Sequence, residues 1–407
     1  MSSSTSHTRA SVAAAVVCLA AGMLAGAWEA RLGAHALEHA GAAQVLSETA
    51  LLVCLFCTGL RISAPLDLAT WRVPLGLAAV TMPVTIGLVA VAANAFFGMS
   101  LPQALLLGAI LAPTDPVLAS DLKLSSAGGE EGVRFALTAE GALSSALALP
   151  LVLFALGLCG RHDLGPLALH WLAFDLLWGL ASGALLGALI GALGAHALAR
   201  LESRGPTGEL GLTELLLFAC VIAFSYGASV LLHANGFLAV LAAGGSLARG
   251  GLLSMRPGPP WRRLLAGQKL TRALSSAAAR IERLAELAIV IVLGALLTVS
   301  SVHPALILFA LLVLVVVRPV AARLGVGRAG ASELERQLIA WFGIRGVACM
   351  YYAMFAVGEG FSTPVATELT AVTLAVLATS IALHALTALP LTKRPAAAHG
   401  AEKTQLE

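Results

Sequence analysis

Five ionisable residues, Glu48, Asp115, Glu140, Arg318 and Arg345, each sit inside a long apolar run of this 407-residue chain. If such runs cross a bilayer, each charge costs at least about 2.5–3.5 kcal/mol to insert, so each is a candidate for function. Asp115 stands in Pro113-Thr114-Asp115-Pro116, and prolines three apart remove two helical N–H groups, leaving the carbonyls of Ala109 and Ala112 free. A helix interrupted at mid-membrane is tolerated only where it lines a cavity or is enclosed by protein. The freed carbonyls, the Thr114 hydroxyl and the Asp115 carboxylate are oxygen ligands of the kind hard cations take. The bland reading is a proline kink around a satisfied aspartate.

Glu140 shares a helical face with Ser144, four residues on, which puts a carboxylate and a hydroxyl on one wall. Arg318 ends an apolar run at Pro319, and a buried guanidinium needs a buried carboxylate, so it is paired with Glu140 as a structural ion bridge. Arg345, between Gly343 and Gly346, cannot lose its proton and therefore balances charge without carrying protons. Glu48 opens an apolar run and is a further site candidate. Asp175, Glu214 and Glu286 fall nearer span ends or cavity walls, where snorkelling or local pairing suffices. The histidines and cysteines show no ligand spacing, and no nucleophile stands at a suitable distance from a base. Neither a cofactor, nor a resident metal, nor enzymatic catalysis is expected.

The elements that position these charges are membrane helices. Hydrophobic residues make up 58% of the chain and charged ones 12%, with mean hydropathy +0.90, against roughly 25% charged in a soluble domain. About twelve apolar stretches are long enough to predict spans, near 11–28, 45–61, 73–96, 101–120, 134–158, 167–198, 212–232, 235–248, 284–301, 303–322, 335–357 and 364–390. They lack the alternation of barrel strands, so the fold class is all-α. With both termini cytoplasmic, only Arg31 and Arg161 of the 25 Lys and Arg fall in translocated loops, as the positive-inside rule requires. The net charge of +3 thus reports topology and points away from a nucleic-acid partner. The chain divides into a tail at 1–10, a membrane domain at 11–390 with a basic cytoplasmic linker near 250–283, and a tail at 391–407. Gly183, Gly187 and Gly191 mark one face for close helix packing, internal or between subunits.

Several motifs occur in a telling order: Glu48 with Leu55-Phe-Cys-Thr-Gly-Leu-Arg61, Trp71 with Met82-Pro-Val-Thr-Ile86, and Thr114-Asp115-Pro116. Then come Gly236-Phe-Leu-Ala-Val-Leu-Ala-Ala-Gly244, Arg318-Pro319, and Phe342-Gly-Ile-Arg-Gly346 with Tyr351 and Tyr352. In these the chain resembles the sodium/proton exchanger type of the monovalent cation:proton antiporter family, in a bacterial version. The resemblance implies an inverted-repeat fold whose two interrupted helices, here those of Asp115 and Arg345, cross at mid-membrane. It also implies a homodimer in the bacterial inner membrane that exchanges Na+ or K+ for protons. Thr114 and Asp115 would lie in the ion-site region, Glu48 near the cation, and Glu140 and Arg318 at the positions of a stabilising ion pair. One departure stands out: where the family has an Asn-Asp pair, whose Asp carries proton and cation, this chain has Ser144 and Ser145. Two readings follow. Either Asp115 or Glu48 takes over as carrier, with the serines as neutral oxygen ligands and at most one-for-one exchange, or the chain is a transport-inactive relative that binds, senses or scaffolds.

Overall fold

The computed structural model describes residues 17–27, 40–62, 67–116, 130–202, 212–250, 280–297, 303–327 and 332–391, and every regular element among them is a helix. In chain order these are α1 (Val17–Ala27), α2 (Ala40–Arg61), α3 (Leu68–Phe97), α4 (Leu101–Leu111), α5 (Glu130–Leu158) and α6 (Trp171–Trp178 continuing as Gly179–Glu202). They continue as α7 (Leu212–Leu231), α8 (Gly236–Ala248), α9 (280–296), α10 (Pro304–Val326), α11 (Glu333–Trp341), α12 (Val347–Gly358) and α13 (Thr363–Leu391). Six of them, α2, α3, α5, α6, α10 and α13, are long and apolar enough to cross a bilayer unaided. The tail 1–10, all of tail 391–407 but Leu391, and most of the linker 250–283 lie outside the described residues.

Two of the expected spans do not run straight. The stretch 101–120 leaves the helix after Leu111 and is irregular through Asp115, and 335–357 is split into α11 and α12 by irregular backbone at 342–346. Local chemistry sets the ends of these half-helices. Ser100 and Gln103 form a capping box at the start of α4, and Ser332 and Glu335 form one at the start of α11. Wide π-turns interrupt α3 at Leu77–Thr81, open α6 at Trp171–Trp178 and interrupt α10 at Val313–Val317. The last ends at Arg318-Pro319, where proline has no N–H to offer the carbonyl of Val315 and a wide turn re-spaces the ladder.

The helices form two groups. In one, α8 lies against α6 and α2, with α7 alongside. Glycine lets backbones touch there: a Cβ on Gly183, Gly187 or Gly191 would run into the carbonyls of Asn235, Ala239 or Ala243 of the loop and helix α8, so this stripe packs internally. Gly59 of α2 meets Gly244 and Gly245 in the same way, and Gly22 and Gly26 of α1 meet Gly294 and its neighbours on α9. In the other group α4 packs on α3, α5 and α12, while α10 packs on α3, α11 and α13. Thr81 donates to the carbonyl of Ala321 at 3.2 Å, and Gly76 abuts Gly325, fixing α3 on α10.

Asn235 joins the groups. Its side chain caps α8 by accepting from Leu238 N–H at 3.0 Å and donates to the carbonyl of Ala146 on α5 at 2.8 Å. A cavity of about 540 Å³ opens beside it between α5, with Ala139, Ala142 and Leu143, and α8, with Leu238, Leu241 and Ala242. Arg249 is the charged residue on its wall, so it offers no acid to a bare cation.

Candidate functional site

The two irregular segments cross and bond directly. Asp115 N–H donates to the carbonyl of Ile344 at 2.8 Å, so the break in one helix is stitched to the break in the other. Arg345, 0% exposed, extends its guanidinium back to the end of α4, where Nη1 donates to the carbonyls of Ala112 and, at 3.0 Å, Pro113. In return, Val347 N–H, at the first position of α12, donates to Asp115 Oδ2 at 3.4 Å. Each half-helix end is therefore met by the opposite charge from the other half of the chain: a cation at the negative C-terminus of α4, an anion at the positive N-terminus of α12. The carbonyl of Ala112, expected free, is spent on Arg345.

Glycine makes this crossing possible. A Cβ on Gly346 would overlap the Asp115 carboxylate, one on Gly343 would overlap the Arg318 guanidinium, and one on Gly141 would strike the backbone of Pro116. Arg318, 1% exposed, grips Glu140, 2% exposed, through two bonds of 2.5 and 2.7 Å, the parallel geometry that suits guanidinium and carboxylate. Thus α10 and α5 are clamped next to the crossing, and the charges of that pair cancel.

Ser144 and Ser145 face the break itself. Ser144 Oγ accepts from Thr114 N–H at 3.2 Å, and Ser145 Oγ donates to the Thr114 carbonyl at 3.3 Å. The Ser145 carbonyl in turn accepts from Tyr352 at 2.6 Å. The Thr114 hydroxyl lies 3.5 Å from that of Ser144. Glu48 is held elsewhere: its carboxylate accepts a hydrogen bond from Tyr226 of α7.

Asp115 itself, 4% exposed, lines a small cavity of about 20 Å³ together with Arg345, Gly346, Met350 and residues of α13 and α9. The α9 residues are Ile289, Val290, Leu293 and Glu286. Of the two places that the sequence allowed Glu286, a span end or a cavity wall, it takes the wall of the cavity that Asp115 also lines. Its signal was Glu282 one turn before it, which puts two acids on one stripe of a helix that also carries Arg280 and Arg283 at its start. Asn235 was missed too, although an Asn-Gly step directly before an apolar run is a helix-start pattern. His384 and Ser380 of α13 brace the second break: Ser380 Oγ accepts from Arg345 N–H at 3.0 Å, and the His384 ring lies 2.8 Å from its own-helix carbonyl at Ser380 and 3.0 Å from that of Trp341. Among the described residues no group of three or more His, Cys, Asp or Glu could hold a resident metal.

Two interrupted helices crossing inside an apolar bundle, with a buried carboxylate and a small cavity at the crossing, define a membrane protein of the secondary-transporter class. The chain belongs to the family described as sodium/hydrogen exchanger, transmembrane, which it matches over residues 2–394. Its fold is similar to that of the sodium proton antiporter MjNhaP1 from Methanocaldococcus jannaschii, with TM-score 0.70 and 20% identity over 92% of this chain and 91% of that one. A map of the same archaeal protein by electron microscopy gives TM-score 0.61 and 21% identity over 85% and 83% of the chains. The chain is also 32% identical over 112 residues to Na(+)/H(+) antiporter 2 of Zygosaccharomyces rouxii, a match that spans 26% of this chain and 14% of the yeast protein.

Proposed function

We propose that this protein exchanges a monovalent cation, Na+ or K+, for protons across the bacterial inner membrane, as a homodimer with both termini in the cytoplasm. The observation that carries the reading is the Asp115 carboxylate, buried at the crossing of two broken helices, where Asp115 lines a cavity of about 20 Å³. A buried carboxylate holds either a proton or a cation, and that competition is what couples the two flows. Thr114 and Asp115 form the ion-site region, Glu140 with Arg318 holds it together, and Arg345 supplies fixed positive charge. Ser144 and Ser145 take the place of the family's Asn-Asp pair as neutral oxygens.

The reading is tested in everted vesicles by cation-induced recovery of a pH gradient. The parent protein dissipates the gradient on addition of Na+ or K+, and Asp115→Asn does not. A second reading, a transport-inactive relative with a binding, sensing or scaffold role, draws support from Ser145, whose hydroxyl is engaged by the Thr114 carbonyl and offers no carboxylate. It prevails if the parent is inert to every alkali cation across the pH range while Ser145→Asp is active.

A further inference from the structure

None of the charged residues of the crossing lines the cavity of about 540 Å³ between the two helix groups. Protein interiors pack almost as densely as molecular crystals, so a space of this size among helices calls for a cause. Small residues supply it. Alanines of α5 (Ala139 and Ala142), α6 (Ala184 and Ala188) and α8 (Ala242) line the cavity where larger side chains would fill it.

The wall is apolar for most of its length and charged at one end. On α8 the lining residues Leu238, Leu241, Ala242, Gly245, Ser246 and Arg249 recur at intervals of three and four, a single helical face. From Leu238 to Arg249 that face runs about 16 Å. The Ser246 hydroxyl donates to the carbonyl of Ala188 at 2.8 Å and is thereby spent on its own wall. Arg249 is the charged residue of the described lining, exposed where α8 ends, and no described carboxylate accompanies it on the wall. Its guanidinium folds back over the last turn, with Nη1 3.4 Å from the Gly245 carbonyl. A guanidinium has five N–H groups, so it takes a further acceptor without giving up such bonds.

These features sort the possible occupants. Ordered water needs about two to four polar partners and finds few on this wall, and a bare cation meets a like charge. A sugar or nucleotide would leave its polar groups unpaired against carbon. A molecule that is apolar along its length and carries one negative charge at its end meets both parts of the wall, with the chain along the α8 face and the head at the exposed end. Guanidinium and carboxylate match through two parallel bonds. The volume falls within the range of small-molecule sites, about 300–1,000 Å³, which fits one acyl chain.

We propose that this cavity binds a long-chain fatty acid, with the carboxylate on Arg249 and the chain laid along α8 toward Leu238. The occupant touches α5 on one side and α6 and α8 on the other, so it ties the two helix groups together. The proposal stands on this wall alone and is independent of the exchange reading.

The test uses the purified full chain in phosphatidylcholine nanodiscs, with radiolabelled dodecanoate and dodecan-1-ol as probes. The parent binds dodecanoate saturably, one per chain. Decanoate competes about 15-fold less well, because each methylene withdrawn from water contributes about fourfold in affinity. Dodecan-1-ol, with the same chain and no charge, binds about 10- to 100-fold more weakly than the acid. Arg249→Gln lowers affinity for dodecanoate by that same factor and leaves the alcohol unaffected, and Arg249→Lys restores part of the loss. Ala242→Leu, whose added bulk enters the cavity, weakens acid and alcohol alike. Ligand-free melting temperatures equal to the parent's separate loss of the site from loss of the fold. Absence of saturable binding overturns the proposal, as does binding that Arg249→Gln and Ala242→Leu leave unchanged. If phosphatidylglycerol in place of phosphatidylcholine displaces the alcohol as well as the acid, the site belongs to a phospholipid and the fatty-acid assignment falls.

Discussion

At the scale of single residues, burial makes each charge in this protein answerable to a named partner. Removing one member of a buried, doubly bonded ion pair leaves an uncompensated charge and costs about 3–5 kcal/mol. Glu140→Gln or Arg318→Leu is therefore expected to lower the melting temperature in detergent sharply. The double substitution Glu140→Leu with Arg318→Leu recovers much of the loss, and a double mutant no more stable than either single one counts against the pair as a clamp. The glycines are as exacting as the charges. Gly346→Ala drives a methyl group into the Asp115 carboxylate, and overpacking of this kind costs about 1–3 kcal/mol; cation-induced stabilisation should vanish with it, whereas Gly87→Ala, where a Cβ meets nothing, should leave both unchanged. Much of this was legible in the sequence. Two prolines around Thr114-Asp115 announce a broken helix because proline removes donors wherever it stands, and a guanidinium in an apolar run announces a carboxylate somewhere. For Glu286 the sequence left a span end and a cavity wall both open, because an acid near a span end reads the same whether it reaches water or a cavity, and only the packing of α9 separates the cases.

At the scale of elements, glycine spacing and caps decide which helices are joined. The α6 stripe could have faced a second subunit or the same chain, since a row of small residues records close approach but not the identity of the neighbour; it faces α8. Gly187→Leu should split α6 from α8 and lower the melting temperature by more than Leu185→Ala, whose side chain is exposed. The lengths of α4, α11 and α12 were not legible either, since Pro113 and Pro116, Gly343 and Gly346 mark where a helix breaks but not where its two halves begin and end. Helix α3 begins at a cap with a pH signature. Asp67, fully exposed, accepts from Thr70 N–H at 2.8 Å and from the Thr70 hydroxyl at 2.9 Å, and these bonds hold its carboxyl below the ordinary value of 3.8. A depressed carboxyl stabilises the folded state above that ordinary value and loses the contribution as pH falls through its lowered pKa. Asp67→Ala should therefore lower the melting temperature at neutral pH, and the difference should shrink on acidification below about pH 4. A gap that persists unchanged at pH 2 would argue against the cap.

At the scale of the whole molecule, the charge balance predicts the driving force. On the exchange reading proposed above, one-for-one exchange moves no net charge, so it is expected to escape the roughly 2.3 kcal/mol that 100 mV imposes on each transported charge. Proteoliposomes with an imposed potential and no ion gradient should show no transport, and Ser145→Asp, by adding a charge, should make transport respond to potential. Potential-driven exchange by the parent would end the one-for-one account. The reciprocal bonding of the two half-helices carries a further implication, for biogenesis. The end of α4 is satisfied by Arg345, made more than two hundred residues later, and the start of α12 by Asp115, made long before it. Until the ribosome has released the second half, the first half holds a broken backbone with no guanidinium to meet it, so the nascent chain should remain protease-sensitive at this spot through most of its synthesis. Cutting the gene between codons 251 and 279 should yield fragments that are each degraded when made alone and survive when made together, because neither half contains its own missing charge.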